Sequence, residues 1–408
     1  MFIIQYIILI ITITYLVIYA YIKIKFPFWN NQPVLHSYDY WRFLYQIPFI
    51  IYKYRPIKTK FYKSNIKTIP YLEISEDQKK EVLYLLQSNY ISNDRILLTI
   101  ENKDLDGIYT GHNETSYISL YYDIPIYIND IEITSLLGCI FSNSINIYYQ
   151  SSLDDNVYTT TKFYLIDYLC VKKDKDQKKI SRELFQTHEY NQRINNPSIL
   201  CCLVKKEIDL FDGVVPLVEY NTNIYYLRDL NFSSLPHFFY VIQIEQENIS
   251  ILTDFLYVQS HLDIKEKHDH LKVLSVIEIS NYLELIKQNN YYVFCLKSGE
   301  HIYSMYFFKD AKMQYEDIEG NTLQFYGSIN NSESESLFYL GFLHAIQKII
   351  KKFPKYKMIM FENLGDNTKI NKEWQKKNTP IFKNKTAYYA YNWVYPSSPL
   401  LPEYCLFL

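Results

Sequence analysis

The carboxyl-terminal residues of this 408-residue chain could supply a general base. Cys405, Leu406, Phe407 and Leu408 carry no charge, and Glu403 is the last charged side chain before them. Chain ends are usually polar and loose, so we expect this apolar end to thread back into the fold. The α-carboxylate of Leu408 would then lie in an apolar pocket, which raises its pKa and suits it to accept a proton. Composition alone favours the alternative, a buried structural strand whose carboxylate stays at the surface.

A cationic turn in the first half of the chain is a second candidate. Residues 163–171 are rich in β-forming side chains and predict a strand. Residues 172–179 read Lys-Lys-Asp-Lys-Asp-Gln-Lys-Lys, and residues 180–190 predict a helix. Free amides at a helix N-terminus and nearby lysines both favour anions. The pattern is compatible with a pyrophosphate site, although the residues alone favour a solvated charged loop.

Composition excludes several other functions. Lys plus Arg (42) nearly balances Asp plus Glu (44) without a long basic block, so nucleic acid is not an expected partner. The six cysteines form no CxxC pair and indicate a reducing compartment. His268-Asp269-His270 is nearest to a metal-ligand spacing, but its charged surroundings favour a solvated loop. We therefore expect neither a metal nor a permanently bound cofactor.

The first 22 residues are almost continuously apolar, which is long enough to span the core of a bilayer. Lys23 and Lys25 follow, and no basic residue precedes them. The positive-inside bias therefore predicts a single-pass membrane anchor with the rest of the chain in the cytoplasm. A cleaved signal peptide is one alternative, although its basic start and small-residue cleavage site are missing. A buried pair of strands is the other.

The rest of the chain predicts an α+β fold with mixed sheets, because strands alternate with helices in both halves. Its length suggests two compact domains, which we place at residues 26–235 and 236–408, after an anchor at 1–25. Ser75 and Ser334 predict helix starts, and residues 276–288 predict another helix. Residues 38–63 are aromatic and basic and predict an irregular linker or a membrane-surface segment.

Four short motifs follow one another along the chain. They read Phe-Trp-Asn-Asn-Gln-Pro-Val (28–34), Asn-Tyr-Ile (89–91), Asp-Tyr-Leu-Cys-Val (167–171) and Tyr-Tyr-Ala-Tyr-Asn-Trp (388–393). In this order they resemble four segments of the eukaryotic-type glycylpeptide N-myristoyltransferase family, namely Phe-Trp-x-Thr-Gln-Pro-Val, Asn-Tyr-Val, Asn-Phe-Leu-Cys-Val and Tyr-Tyr-Leu-Tyr-Asn-Trp. The distance from the last motif to the chain end is also similar. The resemblance covers nearly all of the chain outside the predicted anchor.

This resemblance implies two tandem acetyltransferase-like (GNAT) units, the first binding acyl-CoA and the second binding the peptide. The implied reaction transfers a myristoyl group from myristoyl-CoA, a co-substrate, to the N-terminal glycine amine of a protein. The backbone N–H groups of Tyr168 and Leu169 would form the oxyanion hole, and the Leu408 carboxylate would be the general base. The other positions carried over would hold acyl-CoA (Phe28, Trp29, Asn89, Tyr90, Ile91, Lys178 and Lys179) or contact the acceptor (Asp94, Asp167 and Tyr225).

The chain also departs from the family pattern. Asp176 replaces a cation of the phosphate-binding run, which should weaken phosphate binding. The family's Tyr-Thr-Ala-Gly falls near residues 202–205 and is not preserved, and its Gly-Asp-Gly becomes Phe-Lys-Asn at 382–384. The acidic cluster after Asn-Tyr is reduced to Asp94, and Asp167 replaces Asn. Three hypotheses follow: a membrane-anchored N-myristoyltransferase, an inactive relative that binds acyl-CoA or lipidated proteins at a membrane, and an acyltransferase with another acceptor.

Overall fold

The computed structural model describes residues 2–91, 93, 95–123, 126–128, 131–151, 158–228, 233–261, 271–316 and 318–408. Within these ranges the helices are α1 (Phe2–Lys25), α2 (Glu76–Asn89), α3 (Asn102–Tyr109), α4 (Gln177–Asn195), α5 (Ile249–His261), α6 (Ile279–Lys287), α7 (Glu335–Lys352) and α8 (Asn367–Gln375).

The strands are β1 (Phe49–Ile50), β2 (Lys67–Pro70), β3 (Ile96–Leu98), β4 (Tyr117–Tyr122), β5 (Ile126–Ile128), β6 (Ile131–Ile133), β7 (Leu136–Gln150), β8 (Tyr158–Val171), β9 (Cys201–Glu207), β10 (Val218–Tyr226), β11 (Tyr240–Ile244), β12 (Val273–Val276), β13 (Tyr291–Ser298), β14 (His301–Tyr315), β15 (Ile318–Asn330), β16 (Tyr356–Glu362), β17 (Phe382–Tyr391), β18 (Trp393–Val394) and β19 (Cys405–Phe407).

Most strands belong to one large mixed sheet, so the predicted α+β class with mixed sheets is confirmed. The strands follow the order β11-β13-β14-β15-β16-β10-β17-β9-β8-β7-β12-β19. Strands from the two halves of the sequence interleave: β10 lies between β16 and β17, and β12 pairs with β7. The halves therefore share one hydrogen-bonded sheet, and the domain boundary at 235/236 stays a prediction.

The carboxyl-terminal strand closes this sheet. β19 runs parallel to β12, and the Leu408 N–H donates to the Ser275 carbonyl at 2.9 Å. The ring of Phe407 stacks on Tyr388 of β17 with centroids 4.0 Å apart, and the Leu408 side chain lies against Gly327 of β15. The edge strand thus packs on the face of the central strands. The expectation that the apolar end threads back into the fold is confirmed.

Helices cover both faces of the sheet. Leu184 of α4 packs with Ile140, whereas Leu86 of α2 packs with Phe141. Successive residues of a strand point to opposite faces, so α4 and α2 lie on opposite sides. Ser75 caps α2 in a capping box with Gln78, in agreement with the predicted helix start.

The second predicted helix start is also observed. The Ser334 hydroxyl accepts the Leu337 N–H at 3.2 Å at the beginning of α7. The predicted helix at 276–288 is wrong in its first turn, because α6 begins at Ile279 and residues 273–276 form β12. Periodicity favoured a helix there, but the stretch pairs with β7 and β19 on its two edges.

α1 leaves the packed body. Its apolar stretch Ile3–Lys25 is long and apolar enough to cross a membrane, and none of it is buried. The alternative of a buried strand pair is wrong, because the segment is helical and exposed. A helix satisfies its own backbone hydrogen bonds, so it needs no partner strand in an apolar medium.

Candidate active site

A bulge at the end of β8 shapes the predicted oxyanion hole. Asp167 pairs with Phe141 and Cys170 pairs with Cys139, so Tyr168 and Leu169 together face one residue of β7. A bulge leaves a residue outside the ladder and redirects its backbone groups. Tyr168 has φ 45°, a left-handed conformation that is uncommon for a residue other than glycine. Backbone outliers of this kind concentrate at functional sites.

One of the two predicted oxyanion donors already has an acceptor. The Tyr168 N–H donates to Oδ1 of the neighbouring Asp167 at 2.8 Å. Burial raises the pKa of the Asp167 carboxyl, although the hydrogen bond from Tyr168 and the ammonium groups of Lys309 and Lys205 pull it downward. A substrate oxygen that used the Tyr168 N–H would have to displace this carboxylate.

Asp167 and the carboxyl terminus share one face of the sheet. Leu165 of β8 packs in the same core cluster as Tyr388, Phe407 and Leu408. Asp167 follows Leu165 by two positions, so its side chain points to the same face. The structure therefore brings the bulge and the Leu408 end onto a common surface, with Leu408 only 6% exposed.

The floor of this surface carries a buried ion pair. Glu362 of β16 accepts from Lys205 Nζ at 2.6 Å, from the Tyr220 hydroxyl at 2.8 Å and from the Gln324 side chain. Lys205 also lies 3.1 Å from Glu207. Burial works against both charges, but their attraction prevails: the pKa of Glu362 is lowered and that of Lys205 is raised. Both groups are thus held ionised.

Sequence reasoning found only part of this cluster. Lys205 lies in the segment where the family's glycine-positioning residues are missing. Glu362 carries no local signal, because it lies 157 positions away from Lys205. Strand order alone brings the two together, since β9 and β16 are separated by β17 and β10.

Aromatic side chains hold the amino-terminal arm (residues 28–34). Phe28 makes edge contacts with Trp29 and Phe61 at centroid distances of 4.9 and 5.0 Å. Phe28 is buried, and the Arg182 guanidinium of α4 lies 5.9 Å from its ring. Trp29 packs on Phe211 at 4.5 Å. The arm therefore lies next to the first turns of α4.

The start of α4 holds the two lysines expected near the CoA phosphates. Lys178 and Lys179 are exposed in its first turn. Asp176 is the N-cap, and its Oδ1 accepts the Lys179 N–H at 3.1 Å. This carboxylate occupies one helix amide and adds negative charge where a phosphate would bind. Asp176 would therefore weaken the predicted anion site in two ways.

The end of α2 reaches the bulge. The Tyr90 ring lies 5.2 Å from that of Tyr168. Asn89 Oδ1 accepts the Lys173 N–H at 3.0 Å, which ties the helix to the segment after β8. Ile91 packs at the edge of the neighbouring apolar cluster. These three residues thus adjoin the predicted oxyanion hole.

One predicted substrate contact, Tyr225, is not brought to this surface. Tyr225 is fully buried in the aromatic cluster on the other face, and its hydroxyl donates to Asn371 at 2.8 Å and accepts from Gln375 at 3.0 Å. Asp94 lies outside the described residues, as does the His268-Asp269-His270 stretch.

A cavity of about 510 Å³ lies beside the amino-terminal arm rather than at the bulge. Its walls include Gln32, Gln186, Glu189 and Arg193, of which the last two form a buried ion pair at 3.0 Å. Burial raises the pKa of Glu189, although Arg193 pulls it downward. The cavity is thus polar where it meets α4.

Comparison with known proteins shows similarity in structure alone. No protein-family model matches the sequence, and no curated protein matches it. A crystal structure of Saccharomyces cerevisiae N-myristoyltransferase with bound myristoyl-CoA aligns over 92% of this chain and 94% of that chain, with a TM-score of 0.65 and 12% identity. A second such structure aligns over 93% of this chain and 91% of that chain, with a TM-score of 0.66 and 12% identity. The chain therefore has an N-myristoyltransferase-like fold.

Proposed function

We propose that the protein is an acyl-CoA-dependent acyltransferase that moves a myristoyl group from myristoyl-CoA to the N-terminal glycine amine of a protein. The observation that carries the proposal is the β8 bulge, which lies on the same sheet face as the buried Leu408 end. The fold similarity to a myristoyl-CoA-bound enzyme over more than nine-tenths of both chains supports it. Asn89, Tyr90 and Ile91 adjoin the bulge, and Phe28 and Trp29 lie beside the first turns of α4; together these residues would hold the acyl-CoA.

The chemistry follows from these groups. The Leu408 carboxylate would take one proton from the glycine ammonium, because only the neutral amine is a nucleophile. The nitrogen then attacks the thioester carbon, and the N–H groups of Tyr168 and Leu169 would bind the negative oxygen. The carbon–sulfur bond breaks as the amide forms, and CoA leaves as a thiolate that takes up the second amine proton.

The proposal includes the membrane. α1 would anchor the chain, with the folded part on the cytoplasmic side where Lys23 and Lys25 end the apolar run. Tethering raises the effective concentration of acceptors on the same membrane. The substrates would therefore be proteins that expose an N-terminal glycine near that surface.

The Lys205–Glu362 pair favours a second candidate, an acyltransferase with another acceptor. Lys205 lies in the stretch near which the resembled family has its Tyr-Thr-Ala-Gly segment, and its side chain is held over the site face by Glu362 and Glu207. The segment that positions glycine in the resembled family is therefore replaced by a charged group that is already paired with two carboxylates, and an acceptor other than a glycyl peptide would fit this altered floor.

The test uses the full chain in detergent micelles with its native carboxyl end. It is mixed with myristoyl-CoA and pooled peptides that begin with glycine or alanine, and mass shifts are read by mass spectrometry. A myristoyl gain on glycine-starting peptides alone supports the proposed reaction. Release of CoA without peptide acylation supports another acceptor. Saturable myristoyl-CoA binding without CoA release points to the inactive alternative.

Tyr168→Phe is the matched control for the oxyanion hole. It keeps the backbone N–H and removes only the phenol hydroxyl, so transfer should stay within about two-fold of wild type. A large loss would mean that the Tyr168 hydroxyl, and not its amide, acts in the reaction.

A further inference from the structure

Residues 40–60, here called the aromatic segment, expose apolar side chains in a way that the packed body does not. Trp41 is 70%, Phe43 79% and Tyr54 88% exposed, and Leu44 and Ile57 are also mostly exposed. Apart from α1, the other large exposed apolar side chains among the described residues are scattered along the chain from Leu72 to Leu401. A contiguous exposed apolar patch marks an interaction surface.

The aromatic segment is fastened so that these side chains face outward. Asp39 accepts the Trp41 N–H at 3.1 Å and the Tyr45 hydroxyl at 2.9 Å. Arg193 donates to the carbonyls of Tyr52 and Tyr54 at 3.1 and 2.8 Å. The first bonds fix the local fold of the segment, the second tie its backbone to α4, and the exposed side chains do not pack on the body.

The cavity beneath the segment does not offer these side chains a place to turn inward. Where the cavity meets α4, its wall is formed by polar groups of Gln186, Glu189 and Arg193, and residues of the segment itself, Tyr45 and Ile57 among them, already line its other side. Bringing an aromatic ring against the Glu189–Arg193 pair would remove hydration without supplying hydrogen bonds. The patch therefore needs a partner from outside the chain.

The charge of the aromatic segment identifies the partner's chemistry. No Asp or Glu occurs between Asp39 and Glu73. Lys53, Arg55 and Lys58 are exposed along the same stretch. Aromatic side chains at an interface combined with unneutralised cations are the composition that binds anionic lipid surfaces.

The position of α1 agrees with this partner. Phe26, the residue after α1, stacks on Tyr38 with ring centroids 5.5 Å apart. The aromatic segment begins two residues later, so it leaves the body beside the end of the proposed anchor. Trp and Tyr are enriched at the level of lipid headgroups, where such a segment would lie.

We propose that the aromatic segment is a second membrane contact, which lies in the headgroup region of an anionic bilayer. The proposal rests on the proposed function insofar as α1 anchors the chain. One helix alone leaves the body free to rotate about the helix axis, and a second contact fixes its orientation. The arm at residues 28–34 lies between the two contacts. Acyl-CoA, an amphiphile whose chain partitions into bilayers, would therefore meet its binding arm at the membrane surface.

Trp41 is the reporter for the test. Trp374 and Trp393 are buried, and Trp29 is partly buried among aromatic rings. The full chain is reconstituted in nanodiscs of phosphatidylcholine and phosphatidylserine whose acyl chains are brominated near the headgroup or left unmodified. The difference in tryptophan fluorescence between the wild type and Trp41→Phe is the contribution of Trp41. We expect bromination to quench this component about two-fold.

The matched control moves the reporter to the other side of the molecule. Tyr84 on α2 is 72% exposed, close to the exposure of Trp41, and α2 lies on the opposite sheet face from α4. The double variant Trp41→Phe/Tyr84→Trp should show no added quenching by brominated lipid. Quenching of both positions alike would mean non-specific collision with lipid and would overturn the proposal.

The remaining outcomes separate this proposal from the proposed function. An unquenched Trp41 in chains that stay with the nanodiscs would overturn the second contact and leave the anchor standing. Chains that elute apart from the nanodiscs would overturn both. Quenching equal in pure phosphatidylcholine would overturn the requirement for anionic lipid. Quenching without acyl transfer to peptides would support the surface while the proposed reaction fails.

Discussion

The two apolar segments at the ends of this chain have opposite fates. Residues 3–25 form a helix with no buried part, whereas residues 405–408 are almost completely buried. Both are rich in Ile, Leu, Phe or Tyr. The difference lies in backbone hydrogen bonds, because a long helix satisfies its own and a three-residue strand cannot. The short segment must pair with β12, and this pairing delivers Leu408 to the site face.

The largest expected effect comes from removing the C-terminal segment. Deleting residues 405–408 removes four buried side chains and one sheet edge. At about 1.5–3 kcal/mol for each large apolar side chain, the loss of roughly 6 kcal/mol approaches the whole stability of a typical fold. We expect this chain to lose its cooperative thermal unfolding transition.

Deleting residues 2–24 is the matched control. These side chains contact little of the body, so the unfolding temperature should change by less than about 2 °C. Differential scanning calorimetry in detergent measures both variants. A similar destabilisation by both deletions would contradict the distinction between the two segments.

The next effect separates the position of the carboxylate from the packing of the strand. One glycine added after Leu408 moves the carboxylate away while β19 stays intact. Because general base catalysis typically contributes about 10²- to 10⁴-fold, we expect transfer to fall by this factor. Myristoyl-CoA binding, measured by calorimetry, should stay within about three-fold of wild type.

Leu408→Met is the control, since it keeps both the carboxylate and an apolar side chain of similar volume. Its transfer rate should stay close to wild type. If the added glycine has no effect on transfer, the proton acceptor is a different group.

A third prediction concerns the charged floor beneath the C-terminal strand. Lys205→Met leaves Glu362 buried without its cation and should cost about 3 kcal/mol of unfolding free energy. The control is Lys385→Met. Lys385 pairs with Glu219 at 2.9 Å, but both side chains are substantially exposed, and the cost should be below about 0.5 kcal/mol.

The unfolding free energy of wild type and of Lys205→Met should also depend on pH in opposite directions. In wild type the pKa of Glu362 is lowered from about 4.5, so its stabilisation is present above that pH and lost as the pH falls. Without Lys205, burial raises this pKa, and the contribution is instead lost as the pH rises through the new value. The contribution of Glu362 to the unfolding free energy, measured by urea unfolding between acid and neutral pH, should therefore rise with pH in wild type and fall with pH in Lys205→Met. Parallel curves would mean that Lys205 does not affect the ionisation of Glu362.

How far the sequence predicts this molecule depends on whether the signal is local. Ser75, Ser334 and the apolar C-terminus act within a few residues or through simple burial, and each is found as expected. The strand at 273–276 was missed because its partners lie far away in sequence. The Lys205–Glu362 pair could not be predicted, since it depends on the strand order. The positive φ of Tyr168 likewise reflects the ladder around it rather than its own preference.

The smallest expected effect tests how closely the C-terminal strand fits the central strands. A Cβ at position 327 would overlap Leu408 Cδ2 and lie 3.2 Å from Leu406 Cδ1. Overpacking of this kind costs about 1–3 kcal/mol, and the end of a flexible side chain can yield, so we expect about 1 kcal/mol for Gly327→Ala. The double variant Gly327→Ala/Leu408→Ala removes the overlapping atoms. Its loss of unfolding free energy should be smaller than the sum of the losses in the two single variants, as measured by a double-mutant cycle in urea. Additive effects would mean that β19 does not press on β15 at this contact.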